Sequence, residues 1–204
     1  MKIGIYGGTF NPIHLGHMEA ARFALEYLAL DRLYLIPTGI PPHKRMDADA
    51  PAAAQRLEMV RLAAEALGPA VQVDDLELRR EGRSYTMDTL RQLKKAHPKD
   101  ALYLLMGTDM FLTFHRWREP GEIAKLCTLF AFGRSEKDSE ELFSVQRAYL
   151  RETLGADVVT IALPHIVDIS STRLREHLAE GGGGEYLDPA VYGYILRHGL
   201  YGVE

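Results

Sequence analysis

Apolar positions recur along this chain in two rhythms that take turns. Residues 2–6, KIGIY, form a continuous apolar run that ends in Gly7-Gly8. Continuous runs of this kind mark strands buried on both faces. From about His14 to Leu30 the rhythm changes to steps of three and four: Leu15, Met18, Ala21 or Arg22, Leu25 and Leu28 share one face of a predicted helix. Residues 33–37, LYLIP, read as a second strand stopped by Pro37. A proline- and charge-rich loop follows, TGIPPHKRMDADAPA, and then a helix over 53–67 with Leu57, Val60, Ala64 and Leu67 on one face.

The same alternation continues to the end. Residues 71–78, VQVDDLEL, alternate as a strand, and 84–96 read as a helix capped by Ser84 or Thr86. Further strands are predicted at 101–106, 128–132 and 157–163, and further helices at 119–126, 139–154, 170–180 and 188–198. Pro189 suits the first turn of the last helix. The run Gly181 to Gly184 reads as a flexible joint between two helices. Strands alternating with helices predict a doubly wound α/β fold, a parallel sheet covered on both faces. The expectation is a single domain over 1–204, with a C-terminal helical portion from about 168. Ligands in such folds sit beyond the carboxyl ends of strands, which directs attention to 7–17, 37–45, 107–118, 133–135 and 164–173.

Composition narrows the class. With 47% hydrophobic residues the chain can bury a substantial core, and a net charge of -4 implies no general attraction to nucleic acid or anionic membrane. A polyanionic ligand would need locally placed cations. One cysteine, Cys127, excludes an intrachain disulfide and a cysteine-based zinc cluster, and its neighbours Leu126 and Leu129 suggest a buried thiol. The N-terminus has no apolar segment of signal-peptide type, and no run approaches a transmembrane length. The expectation is a reduced, cytoplasmic setting.

The densest chemistry lies in "GIYGGTFNPIHLGHMEAA", residues 4–21. Gly7 and Gly8 let the backbone turn and let a ligand approach without Cβ interference. Pro12 removes a competing donor. A helix starting near His14 points its free amides and dipole at the space beside the turn, which makes an anion site. His14 and His17 lie one turn apart, so both can face that anion and donate to phosphate oxygens. Gly16 lets ligand or neighbouring chain come close. The spacing is not that of the helical zinc signature, and neither the dinucleotide-binding nor the phosphate-loop glycine pattern is present.

A second anion site is written in "VDISSTRLREHL", residues 167–178. Ser170, Ser171 and Thr172 open a helix with Arg173 and Arg175 in its first turns. Arginine near a helix N-terminus opposes the macrodipole, and a bound anion offsets that cost. Two anion-binding helix starts suit a triphosphate.

Together, "GGTFNPIHLGH" and "ISSTRLR" resemble the HxGH nucleotidyltransferases. The chain is similar, more closely, to the bacterial nicotinate-mononucleotide adenylyltransferase branch, through "PPHK", "SYTMDTL", "MGTD", "FHRW", "FGR" and "YLDPAVYGYILRHGLY". The resemblance implies that His14 and His17 contact ATP phosphates, with His17 the main stabiliser of the α-phosphate. It implies that Gly8, Thr9 and Phe10 line the nucleotide path, that Ser171, Thr172 and Arg173 hold the triphosphate, and that Gly107 and Asp109 meet the adenylate ribose. Lys44 would meet the phosphate of nicotinate mononucleotide, and Arg134 would line the same cleft. Trp117 would stack on the nicotinate ring, with Thr86 and the amides near Met87 and Arg118 receiving its carboxylate. Arg118 departs from the aromatic residue found there in some relatives.

The implied partners are ATP, with Mg²⁺ bridging its oxygens, and nicotinate mononucleotide, with neither nucleic acid nor membrane. Homo-oligomerisation is left open. The alternatives are a sister enzyme acting on nicotinamide mononucleotide or phosphopantetheine, a fragment of a class I tRNA synthetase, and a non-catalytic nucleotide-binding module. The synthetase reading is opposed by length and by the missing lysine-rich loop.

Overall fold

The protein is seen in a computed structural model that describes residues 1–42, 50–133, 140–164 and 167–203. Six parallel strands form one sheet: β1 (Lys2–Gly8), β2 (Arg32–Pro37), β3 (Val71–Val73), β4 (Ala101–Gly107), β5 (Thr128–Gly133) and β6 (Val158–Ala162). Their spatial order is β3-β2-β1-β4-β5-β6, so the winding reverses between β1 and β4. The helices are α1 (Leu15–Tyr27), α2 (Ala53–Leu67), α3 (Thr86–Ala96), α4 (Thr108–Leu112), α5 (Pro120–Leu126), α6 (Glu140–Leu154), α7 (Ser171–Ala179) and α8 (Pro189–Arg197). This is the doubly wound α/β fold that the alternating rhythms predict.

The core is split by the sheet because successive strand side chains point to opposite faces. Leu33, Leu35, Phe130 and Phe132 join Met18, Ala24, Met59 and Val60 on one face. Ile3, Ile5, Ile36 and Leu129 join Leu90, Phe111, Ile123 and Phe143 on the other. Leu174, Leu178, Val191, Ile195 and Leu200, from the C-terminal helical portion, belong to the first of these clusters. That portion therefore closes the same core rather than building its own. Cys127 is buried, its thiol donates to the Ile123 carbonyl, and burial pushes its pKa up to about 12. A thiol this far from ionisation is a packing residue, not a nucleophile.

Three local expectations change in the structure. The strand expected over 71–78 stops at Val73. There Asp74 Oδ1 accepts the Leu76 amide at 2.9 Å, an Asx turn that takes the chain off the sheet despite its alternating pattern. Ser84 does not cap α3, because its hydroxyl accepts the Gly39 amide at 3.1 Å, and the helix begins two residues later. The glycine run is a stop signal for α7 rather than a loose joint. Gly181 and Gly183 take positive φ, and the Gly182 amide returns to the His177 carbonyl at 2.9 Å.

The fold places the sequence motifs where doubly wound sheets bind ligands. β1 and β4 are neighbours at the reversal of winding, and the segments that leave their carboxyl ends diverge to open a crevice.

Candidate active site

A cleft of about 480 Å³ lies at that crevice. Gly7, Gly8 and Thr9 bring β1 to it, and Met106, Gly107 and Asp109 bring β4. Thr38, Pro41 and Pro42, after β2, form a further wall, and Thr86 and Trp117 close the far end. Gly8, Thr9, Gly107, Asp109, Thr86, Trp117 and Arg118 therefore share one cavity, as their assignment from sequence requires. Lys44 and Arg134 lie outside the described residues.

The two histidines divide their roles. His17 lines the cleft, whereas His14 is 1% exposed and is not on the cleft wall. Their rings lie 3.8 Å apart, centroid to centroid. Phe10 meets His17 edge-on at 5.2 Å and is itself buried. Neither His14 nor Phe10 therefore faces the cavity in the way the sequence suggests; both pack behind His17 and set its orientation. The His14 amide donates to His17 Nδ1 at 3.3 Å. With Nδ1 committed as an acceptor, the proton of the neutral ring sits on Nε2. In that tautomer the neutral imidazole carries an Nε2–H that can donate. As the third residue of α1, His17 stands beside the amides of Leu15 and Gly16 at the helix start.

The second helix start adjoins the first. Ser171 Oγ donates to the Pro12 carbonyl at 3.1 Å, and Arg175 donates to the Asn11 carbonyl at 3.0 Å. Gly16 permits the approach of the chain that enters α7: a Cβ there would lie 3.2 Å from the Val167 carbonyl. Ser170 accepts the Arg173 amide and caps α7. The side chains of Thr172 and Arg173 are exposed, and neither they nor Ser171 are among the cleft-lining residues. The motif thus supplies the loop's rear fastening through Ser171 and Arg175, and leaves Thr172 and Arg173 toward solvent.

At the far end, Trp117 is half-buried, its ring 5.3 Å from Phe114. Arg118 is exposed, lies 4.6 Å above the Tyr85 ring and pairs with Glu119 at 3.6 Å. Thr86 is the first residue of α3, so its amide and that of Met87 lie in the unpartnered first turn. The Met87 side chain itself is buried in the core, which leaves only its amide for a ligand.

Beneath this end sits a buried carboxyl that motif reading passes over. Glu77 is 6% exposed and accepts from Thr89 Oγ1 at 2.6 Å. Burial raises its pKa above the ordinary 4.5, against the opposing pull of Thr89, Arg80, Ser84 and Thr38. Gly39 lies so close that a Cβ would be 2.7 Å from the Glu77 carbonyl, so Glu77 joins the chain after β2 to the start of α3. A raised folded-state value means that the contribution to stability is complete below the ordinary carboxyl range and is lost as pH rises through the folded value. The Glu77→Gln variant carries no such loss. Its melting temperature relative to wild type is expected to be more favourable at pH 8 than at pH 5. A gap independent of pH would show that Glu77 ionises as readily folded as unfolded.

A second buried polar group also escaped motif reading. Arg56, 2% exposed, donates to the Thr9 carbonyl at 2.6 Å. The signal was present in the periodicity: Arg56 stands one turn before Val60 on the buried face of α2, with Met59 and Ala63. A charge on an apolar stripe calls for a partner. Glu77 was hidden by the misread strand, which put it on an alternating face rather than behind a turn.

The chain is similar to known proteins in sequence and in fold. The cytidylyltransferase-like family model matches residues 5–177. A curated "Probable nicotinate-nucleotide adenylyltransferase" of Dehalococcoides mccartyi is 41% identical over 206 residues, covering 98% of this chain and 97% of that protein. One from Thermus thermophilus is 41% identical over 202 residues, covering 98% of this chain and all (100%) of that protein. Among solved structures, Plasmodium falciparum nicotinic acid mononucleotide adenylyltransferase complexed with NaAD superposes with a TM-score of 0.80 at 19% identity, over 100% of this chain and 98% of that one. The same enzyme complexed with APC gives 0.79, which is agreement of fold. With relatives this similar along nearly its whole length, the chain belongs to the cytidylyltransferase-like family and, within it, to the nicotinate-nucleotide adenylyltransferases.

Proposed function

We propose that this protein transfers AMP from ATP to nicotinate mononucleotide, giving nicotinate adenine dinucleotide and pyrophosphate in NAD biosynthesis, a reaction of the cytoplasm. The reading is supported by one observation above the others. His17, the start of α1 and the glycine-rich ends of β1 and β4 open into the same cleft, in a chain about 41% identical to curated nicotinate-nucleotide adenylyltransferases. No helix among the described residues is long and apolar enough to cross a membrane.

The chemistry asks little of the protein beyond placement and charge. A phosphate oxygen of the mononucleotide attacks the α-phosphorus of ATP; the new P–O bond forms as the bond to the pyrophosphate oxygen breaks. The nucleophile is already anionic, so no general base is required. Negative charge gathers on the α-phosphate oxygens, where the His17 Nε2–H and the first amides of α1 donate. Thr9 and Gly8 let the phosphate chain lie against backbone, and Asp109 accepts from the ribose hydroxyls next to Gly107. Mg²⁺ arrives with ATP as part of the substrate. Among the described residues no trio of His, Cys, Asp or Glu side chains gathers as a metal site.

At the other end Trp117 faces the nicotinate ring, and its carboxylate meets the first amides of α3, with Arg118 alongside. Lys44 and Arg134 are assigned to the mononucleotide phosphate and the cleft wall by resemblance. The test is pyrophosphate release on mixing ATP with nicotinate mononucleotide, nicotinamide mononucleotide or phosphopantetheine. The acid substrate is expected to exceed the amide by about 10- to 100-fold in kcat/KM, the worth of charge-assisted hydrogen bonds to its carboxylate. Equal rates with acid and amide would remove the carboxylate role from Thr86 and Arg118. Release with phosphopantetheine alone would move the protein to a sister activity, and no release with any would leave a nucleotide-binding module.

A further inference from the structure

The C-terminal stretch "HGLY", residues 198–201, contributes no residue to the cleft wall. In the structure it reaches the back of that site. Leu200 anchors a 3-10 turn, Leu200–Gly202, in the core. The Tyr201 hydroxyl then donates to Asn11 Oδ1 at 2.8 Å, across 190 residues of sequence. Asn11 is 3% exposed and is the chain's sole asparagine.

Two residues around this contact hold a backbone that side chains disfavour. Tyr201 has φ 62° and Phe10 has φ 45°. Non-glycine residues stay in the left-handed region only where their surroundings over-determine it. Those surroundings are specific here. The carbonyls of Thr9, Asn11 and Pro12 accept from Arg56, Arg175 and Ser171, on α2 and α7. The Asn11 side chain is taken by Tyr201, from beyond α8. Burial raises the phenol pKa, so the hydroxyl stays a donor.

We propose that Tyr201 is a positioning residue for the transfer: its hydroxyl fixes Asn11, and with it the turn of residues 8–12 that carries Gly8 and Thr9 and leads into His17. The inference rests on the adenylyltransferase reading above. A preorganised donor set acts only when held within a fraction of an ångström of its productive geometry. Packing of the C-terminal turn rests on Leu200 and the Tyr201 ring, and the hydroxyl is separable from both.

The test is Tyr201→Phe, which keeps the ring and removes one donor. Wild type and variant are compared in kcat, in KM for both substrates, in melting temperature and in amide hydrogen exchange over residues 8–17. The expected result is a kcat lowered about tenfold, the scale of a buried acceptor left unsatisfied, with both KM values within about twofold. Exchange over 8–17 quickens while that of α3 and α5 stays unchanged. A kcat within twofold of wild type overturns the proposal, as does a loss in kcat that merely follows a fall in the folded fraction at the assay temperature. If the wild type shows no transferase activity, the exchange arm decides alone. Faster exchange confined to 8–17 keeps the brace, unchanged exchange removes it, and the failure of the functional reading is read separately from the wild-type assay.

Discussion

Replacing His17 by alanine is expected to lower kcat by about 10²–10³-fold, the scale of losing one preorganised donor to a developing oxyanion, while KM for ATP changes little. The split follows from the step at which the ring acts. In the proposed reaction, ground-state ATP is held by many contacts along the cleft walls that β1 and β4 supply. The charge that grows on the α-phosphate oxygens exists only at the moment of transfer. His17 is the cleft-facing member of the histidine pair, and its Nδ1 is taken by the His14 amide at 3.3 Å. That places the proton of the neutral ring on Nε2, the donor. His17→Gln, which retains a side-chain donor, is expected to recover part of the loss, and His17→Ala none. Steady-state kinetics on the purified variants, with melting temperatures to confirm folding, decide the matter. Near-normal turnover in His17→Ala would remove the residue from the transition state.

His14 illustrates what the sequence could and could not reveal. The pair "HLGH" fixes two imidazoles one helical turn apart, and that spacing reads directly as a shared face. It does not say which ring is nearer the open end of the sheet. The structure buries His14 to 1% exposure and leaves His17 on the cleft. His14 stands at the helix-cap position with extended backbone, φ -143°, and its ring packs on that of His17.

The same contrast recurs at the second motif. Strands and helices with strong periodicity were legible throughout, and so was the placing of motifs at strand ends. What a serine or arginine does at a helix start depends on which backbone carbonyl passes nearby. Here Pro12 and Asn11 pass within 3.1 Å and 3.0 Å of the Ser171 and Arg175 donors. Those distances are set by cross-overs more than 150 residues apart in the chain, which local pattern cannot contain. The shortest α-helix was missed for a different reason: α4 spans five residues and cannot show a helical period before it ends.

The other large effect is expected at the opposite end of the cleft. Trp117→Ala should raise KM for nicotinate mononucleotide by about 5- to 100-fold, in line with roughly 1–3 kcal/mol for stacking a base on an aromatic side chain, and leave KM for ATP and kcat nearly unchanged. In the proposed complex, stacking on the nicotinate ring is remote from the breaking P–O bond and acts equally in ground and transition states, so its loss is expected in KM. Trp117 also packs on Phe114 at 5.3 Å, so alanine risks loosening the short segment between α4 and α5. Trp117→Phe keeps an aromatic face and guards against that reading: it should restore most of the affinity. The residue supplies its own direct probe, because it is the chain's one tryptophan. Titrating wild-type protein with nicotinate mononucleotide should quench its emission with a midpoint equal to the dissociation constant measured by calorimetry, and ATP should quench it far less. Binding seen by calorimetry without any change in emission would place the pyridine ring elsewhere in the cleft and end the stacking assignment.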